Sequence, residues 1–190
     1  MDAAAQYAFA YSLTTTAGVR ALLALAAVAI AAHLGWLHPP AGFEWLGSAV
    51  AMWILIGFAL VEILADKIPF LDHVVHFVQI AGKPAAGAIL VGGSVHAQSH
   101  EMLIGLMIAG ALNSLGIHVA VASMRGASTV TTGGIANPAV SLVEDVGAAV
   151  ALLVAFLAPF LAAALAIAFT ILLVVVVKWL HARAFRTQTP

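Results

Sequence analysis

The stretch Leu60-Val-Glu-Ile-Leu-Ala-Asp-Lys-Ile-Pro-Phe-Leu-Asp-His-Val-Val-His-Phe-Val-Gln-Ile-Ala-Gly-Lys-Pro84 decides how this chain folds. It carries Glu62, Asp66, Lys67, Asp72, His73, His76 and Lys83, while the sequence on either side is mostly apolar. Glu62 stands at the end of an apolar run, where a carboxylate costs roughly 2.5 to 3.5 kcal/mol at the centre of a membrane helix and less toward its interface. A charge in that position demands a partner or a task.

The composition around the stretch sets the solvent. Hydrophobic residues make up 64% of the chain, charged residues 8%, and the mean hydropathy is +1.11. Soluble domains are apolar in only about half of their residues, so the chain reads as an all-α, polytopic transmembrane helical bundle forming one domain over residues 1–190. At roughly 20 residues for each crossing of about 30 Å, it holds about six spans. The absence of cysteine excludes disulfides, iron–sulfur clusters and thiolate metal sites. A net charge of -1 points to no charged partner. A lipid bilayer is the expected partner, nucleic acid is not expected, and a homo-oligomer is left open. No Lys or Arg precedes Arg20 and no small-residue cleavage pattern is evident, so the first apolar segment is expected to remain in the mature protein.

Outward from the central stretch, residues 5–36 predict the first span, with the polar interruption Ser12-Leu-Thr-Thr-Thr16 followed by Gly18 and Arg20. If its helix starts near Tyr7, Arg20 lies near mid-membrane; if it starts near Ala17, Arg20 is a flanking charge. Pro39-Pro40 lies in the loop that follows, and Trp36, Trp45 and Trp53 suit an interface. A second span from about Gly47 to Asp66 is stopped by Pro69. Residues 70–82 form a helical segment with Asp72, His76 and Gln79 on one face, which Gly82-Lys83-Pro84 is expected to break. Two readings stay open: with residues 84–96 it makes one discontinuous span, of the kind that lines a cavity, or it lies along the inner interface as a helix followed by a short span. A fourth span covers about Met102 to Ser123. The Ser/Thr/Gly-rich run from Arg125 to Asn137 predicts a loop, Asn137 a helix cap and Pro138 a first helical position. Span five ends near Leu157, Pro159 opens span six, and residues 179–190 form a polar basic tail.

With six spans and both termini cytoplasmic, Lys67, Arg125, Lys178, Arg183 and Arg186 fall on one side, and no Lys or Arg falls in an outer loop. This obeys the positive-inside rule for a multi-pass protein of the bacterial inner (plasma) membrane. Gly18-Val-Arg20 is similar to Gly116-Ile-His118, and Glu44-x-x-Gly-x-Ala-Val-Ala51 matches Glu144-x-x-Gly-x-Ala-Val-Ala151. Two inverted three-helix repeats, residues 1–98 and 99–184, would produce such matches; so would chance in a chain this rich in Ala and Val.

The expected topology gathers Glu62, Asp66, Asp72, His73, His76, His118, Glu144 and Asp145 into one candidate ion- or substrate-binding region. Arg20, Lys67, Lys83 and Arg125 balance its charge. Glu62, Asp66, Glu144 and Asp145 are the candidate metal ligands, because carboxylates suit hard cations, and histidine admits transition metals; a divalent cation would then be substrate, and no cofactor is assigned. The same charges also suit plain packing pairs, Glu62 or Asp66 with Lys67 and Asp145 with Arg125 or Arg20, and Lys67 and Lys83 suit topology anchors. His96 and His100 have helical spacing but sit in an outer turn. No Ser–His or HExxH arrangement is present, so enzyme activity is not expected.

Glu62-x-x-x-Asp66-Lys67-Ile68-Pro69-x-x-Asp72-His73, Lys83-Pro84-x-x-Gly87, His118 with Arg125, and Asn137-Pro138-x-x-Ser141-x-x-Glu144-Asp145 together resemble the bacterial membrane proteins of domain-of-unknown-function family 4126. That family often has a lysine between the histidine and the arginine, where this chain has Val121. Glu62-x-x-x-Asp66-Lys67 is also similar to the Glu-x-Gly-Asp-Lys motif of small cation exporters built as three-plus-three inverted repeats, though the spacing differs by one residue and the glycine is absent. That likeness implies divalent-cation transport. The expected function is a small transporter or channel for an ion or small solute; the rivals are a scaffold or assembly factor with a structural polar cluster, and a lipid-translocating or lipid-modifying protein.

Overall fold

The computed structural model describes residues 1–65, 72–133 and 135–186, with residues 72–78, 181 and 183–186 described as backbone only. It is a bundle of α1 (Ala3–Val19), α2 (Ala21–His33), α3 (Ala49–Ala65), α4 (Asp72–Ser94), α5 (His100–Thr132), α6 (Asn137–Leu157) and α7 (Pro159–Arg186), with a 3₁₀ turn over Glu44–Gly47. No strand occurs among the described residues. In α5, α6 and α7 the apolar stretch is long enough to cross a membrane, and α2 and α3 are shorter apolar helices. α3, α6 and α7 leave apolar side chains such as Phe58, Val61, Leu153 and Leu172 exposed, as a lipid-facing surface does.

The centre of the bundle is α1, which packs against α4, α5, α6 and α7. Phe9 and Leu13 are fully buried on it, and Phe9 meets Phe156 of α6 edge to face. At Arg20 the chain leaves the helix in an extended conformation (φ -134, ψ 90) and α2 begins immediately. The hydroxyls of Ser12, Thr14, Thr15 and Thr16 all donate back to carbonyls of the preceding turn, an arrangement that loosens and bends a helix. The sequence signalled this site as a polar interruption within one span; the structure makes it a break between two helices.

α1 and α2 do not cross the bundle in sequence. The start of α1 lies beside the end of α4, where the His96 amide donates to Gln6 Oε1 at 2.9 Å and Ala10 packs with Val91 and Val95. The end of α2 lies at that same end of the bundle: His33 Nδ1 is 3.0 Å from the Gly47 carbonyl, and Leu46, beside Gly47, packs on Gly93. The break at Arg20 lies instead beside Lys83, eleven residues deeper along α4 than Ser94, or about 16 Å at 1.5 Å per residue. The expected first span is therefore a re-entrant pair, α1 down and α2 back, with its tip inside the bundle. α3 to α7 run through, so α1 starts at one end, termed here the N-terminal end, and α7 finishes at the other, the C-terminal end. The sequence-based expectation of six crossings put both termini on one side of the membrane; the described helices begin and finish at opposite ends of the bundle, with one of the six expected crossings turning back.

Three further expectations are corrected. α4 continues through Gly82-Lys83-Pro84; a proline costs one donor, and neighbouring helices in a membrane bundle can serve the backbone around it, as Ser114 Oγ does by donating to the Lys83 carbonyl at 2.8 Å. The predicted 125–137 loop is mostly helix: α5 runs to Thr132, and Gly133 in the left-handed region (φ 63) ends it. Pro138 does stand in the first turn of α6, but Asn137 caps nothing: its amide donates to Thr129 Oγ1 at 3.0 Å. Of the segments matched in sequence, Glu44 lies in the 3₁₀ turn and Glu144 within α6, and Gly18 lies at the end of α1 and Gly116 within α5.

Candidate functional site

The backbone groups exposed by the break are the starting point, because unpaired helix ends away from water cost several kcal/mol. Arg20 occupies the cap position of α2 without a side-chain cap bond. Glu62 of α3 supplies it from outside: its carboxylate accepts from the amides of Ala21 (3.1 Å), Leu22 (3.0 Å) and Leu23 (3.4 Å). On the other side of the break, Lys83 of α4 donates to the carbonyls of Gly18 (3.1 Å) and Val19 (3.0 Å). An anion thus meets the positive end of α2 and a cation the negative end of α1, each complementing the helix dipole. Both side chains are buried, Glu62 at 4% and Lys83 at 3% exposure. Lys83 is accordingly an internal clamp, correcting its reading as an interfacial anchor.

Arg20 points the other way, to α6. Its side chain is 1% exposed. Nη2 donates to Ser141 Oγ at 3.0 Å and lies 3.3 Å from the Ser141 carbonyl, while Nε is 2.7 Å from Asp145 Oδ1. Glu144, one residue earlier, is shared: its carboxylate lies 3.6 Å from Arg20 Nη2 and pairs in two-pronged fashion with Arg125 of α5, whose Nε is 2.9 Å away and whose Nη2 is the second donor. The order along the network is Asp145, Arg20, Glu144, Arg125. His118 is buried on α5 next to Ile117, which packs directly on Gly18, and Asn113 donates to Thr14 and Thr15 at 2.9 and 3.0 Å. With Glu62 and Lys83, the described cluster holds three carboxylates and three cations and is formally balanced.

Against this network lies a cavity of about 770 Å³ between α1, α5, α6 and α7. Its walls are mainly Val, Ala and Leu side chains, together with Met124 and Phe169; the hydroxyl residues Ser12, Thr15, Thr16 and Ser128 and the Arg125–Glu144 pair interrupt them. A run of charged network inside and a partly apolar chamber alongside is the arrangement in which irregular backbone occurs at membrane depth.

Residues 7–179 match the family described as Domain of unknown function (DUF4126). The chain belongs to the DUF4126 family. No curated protein and no solved structure matches this DUF4126 chain significantly.

Of the expected site residues in this DUF4126 protein, the structure brings Glu62, Lys83, Arg20, Glu144, Asp145, Arg125 and His118 to one region around the re-entrant tip. Asp66 and Lys67 lie outside the described residues, as do the side chains of Asp72, His73 and His76, whose backbone forms the first turns of α4. Among the described residues, no group of three or more His, Asp or Glu residues gathers as a metal site: Glu62 is held by α2 and Glu144 and Asp145 by arginines. His96 and His100 are exposed, as expected. Sequence reasoning missed the backbone of residues 18–23 as the object that the charges serve, and it gave no part to Ser114. The signal was present in the hydroxyl run before Gly18 and Arg20, since a helix that bonds its own carbonyls with side chains just before a buried charge is prepared to break.

Proposed function

We propose that this membrane protein is a small transporter or channel whose substrate, an ion or small solute, moves along the cavity between α1, α5, α6 and α7. The observation that carries the proposal is the re-entrant α1–α2 pair, whose tip ends inside the bundle on a charged network next to that cavity; broken helices at membrane depth are characteristic of substrate and ion sites. In this reading Glu62 and Lys83 hold the break, Arg20 fixes its position on α6, and the Arg125–Glu144 pair faces the route and opens or closes it. The backbone of Asp72, His73 and His76 opens α4 at the C-terminal end. No covalent chemistry is assigned. Arg125, Lys178 and the turns bearing Arg183 and Arg186 favour a cytoplasmic C-terminal end, which sets the N-terminal end outside, in a bacterial inner membrane.

The test is flux in proteoliposomes of the purified chain, screening protons, sodium, calcium and manganese beside the Glu144→Gln variant. Flux that the variant loses while remaining folded supports the route. A second reading, a scaffold with a structural polar cluster, is favoured by one observation: each described carboxylate of the cluster is already engaged by groups of the chain itself. It expects no flux for any substrate, with a variant that melts earlier or loses a co-purifying partner.

A further inference from the structure

We propose that the cavity binds a single-chain amphipathic anion, with its alkyl chain against the apolar walls and its carboxylate on the Arg125 guanidinium. The inference rests on the cavity named above as the substrate route and specifies the chemical class that the route takes.

The walls argue first. Side chains such as Val121, Val140, Val154, Leu165 and Phe169 offer a hydrated ion nothing in place of its water, whereas an alkyl chain meets there the same apolar surroundings that lipid tails give it. The volume of about 770 Å³ suits one small organic molecule rather than a bare ion, since pockets of roughly 300 to 1,000 Å³ enclose such ligands. Charge argues second. Arg125 and Glu144 are the charged residues on the cavity lining, whereas Arg20, Glu62 and Lys83 stand behind it. Arg125 is 27% exposed against 1% for Arg20, and a guanidinium fork matches a carboxylate in two-pronged geometry.

Exchange argues third. When Arg125 turns to a ligand carboxylate, Glu144 keeps Arg20 Nη2 at 3.6 Å, a cation it then shares with Asp145. Sharing softens the loss of Arg125, while the ligand adds one net negative charge to a cluster that was formally balanced. The extra negative charge arrives toward the end of the bundle where Lys178 and the turns bearing Arg183 and Arg186 lie.

Calorimetric titration of the full chain in nanodiscs of zwitterionic lipid tests this with dodecanoate, dodecanol and acetate. The expected result is saturable binding of dodecanoate, roughly tenfold weaker binding of dodecanol, equivalent to about 1.4 kcal/mol, and none of acetate. Arg125→Gln loses the preference for dodecanoate and keeps the dodecanol affinity; Ala151→Phe, on the cavity wall, weakens both. Equal binding of dodecanol and dodecanoate, or an unchanged dodecanoate affinity in Arg125→Gln, overturns the proposal. In nanodiscs containing an anionic two-chain phospholipid, dodecanoate binding is expected to persist; its abolition there identifies a bilayer lipid as the occupant and overturns the single-chain class. Dodecanoate binding without flux of any substrate leaves the ligand class standing and removes the transport reading, whereas ion flux without dodecanoate binding removes the ligand class alone.

Discussion

Glu62 and Lys83 never touch the cavity, yet they close the backbone that the rest of the bundle is packed around. Glu62 accepts from three amides and Lys83 donates to two carbonyls across the same break. Lys83→Met and Glu62→Ala are each expected to cost about 3 to 5 kcal/mol, as removal of one partner from a buried charge pair does. The double variant should cost less than the sum, because residues in one network couple; thermal melting of the four proteins in detergent closes the cycle, and strictly additive losses would show two independent contacts instead. At this scale the sequence was informative about which residues matter and silent about what they hold. Glu62 and Asp145 declared themselves as charges in apolar surroundings, and Asp145 with Arg20 is among the pairs that spacing suggested. A backbone break leaves no charge in the sequence, so the bonds from Glu62 to residues 21–23 were not legible.

The helices themselves approach closely where glycine permits. A side chain at Gly18 would bring its Cβ to 2.7 Å from the Ser114 carbonyl oxygen and against Ile117, and one at Gly87 would bring it to 2.8 Å from Ser114 Cβ. These contacts hold α1 and α4 on the same turns of α5, which is what keeps Lys83 within reach of the end of α1. Gly18→Leu is therefore expected to separate α1 from α5 and lower the melting temperature, while Gly116→Leu, with open space around its Cβ direction, leaves it within a few degrees; equal melting of both variants would contradict the close packing. The sequence conveyed helix identity at this scale and misjudged helix ends. Pro84 was taken as a stop and Ser/Thr/Gly composition as a loop because both are soluble-protein signals. In the structure α4 runs on past Pro84, with Ser114 Oγ bonded to the Lys83 carbonyl, and α5 runs on to Thr132, where Gly133 ends it.

At the scale of the whole molecule, the described residues form five helices that run through the bundle and one pair that returns. The absence of cysteine makes the arrangement directly testable: Ala3→Cys, exposed at the start of α1, and His38→Cys, exposed after α2, each introduce a single thiol at the same end of the bundle. A membrane-impermeant maleimide applied from one side of intact cells should label both or spare both; labelling of one alone would restore six crossings. Composition alone was enough to establish a helical membrane bundle, whereas the count of crossings turned on one residue, Arg20, whose two sequence placements both assumed a helix that goes straight through. The re-entrant pair also imposes a timetable on synthesis. Residues 18–23 leave the ribosome early, but Glu62 is 40 residues behind Leu22 and Lys83 is 65 behind Gly18. Until residue 83 has been made, the open backbone at Arg20 lacks at least one of its two charged partners, so the segment translated first cannot settle before α4 has been started.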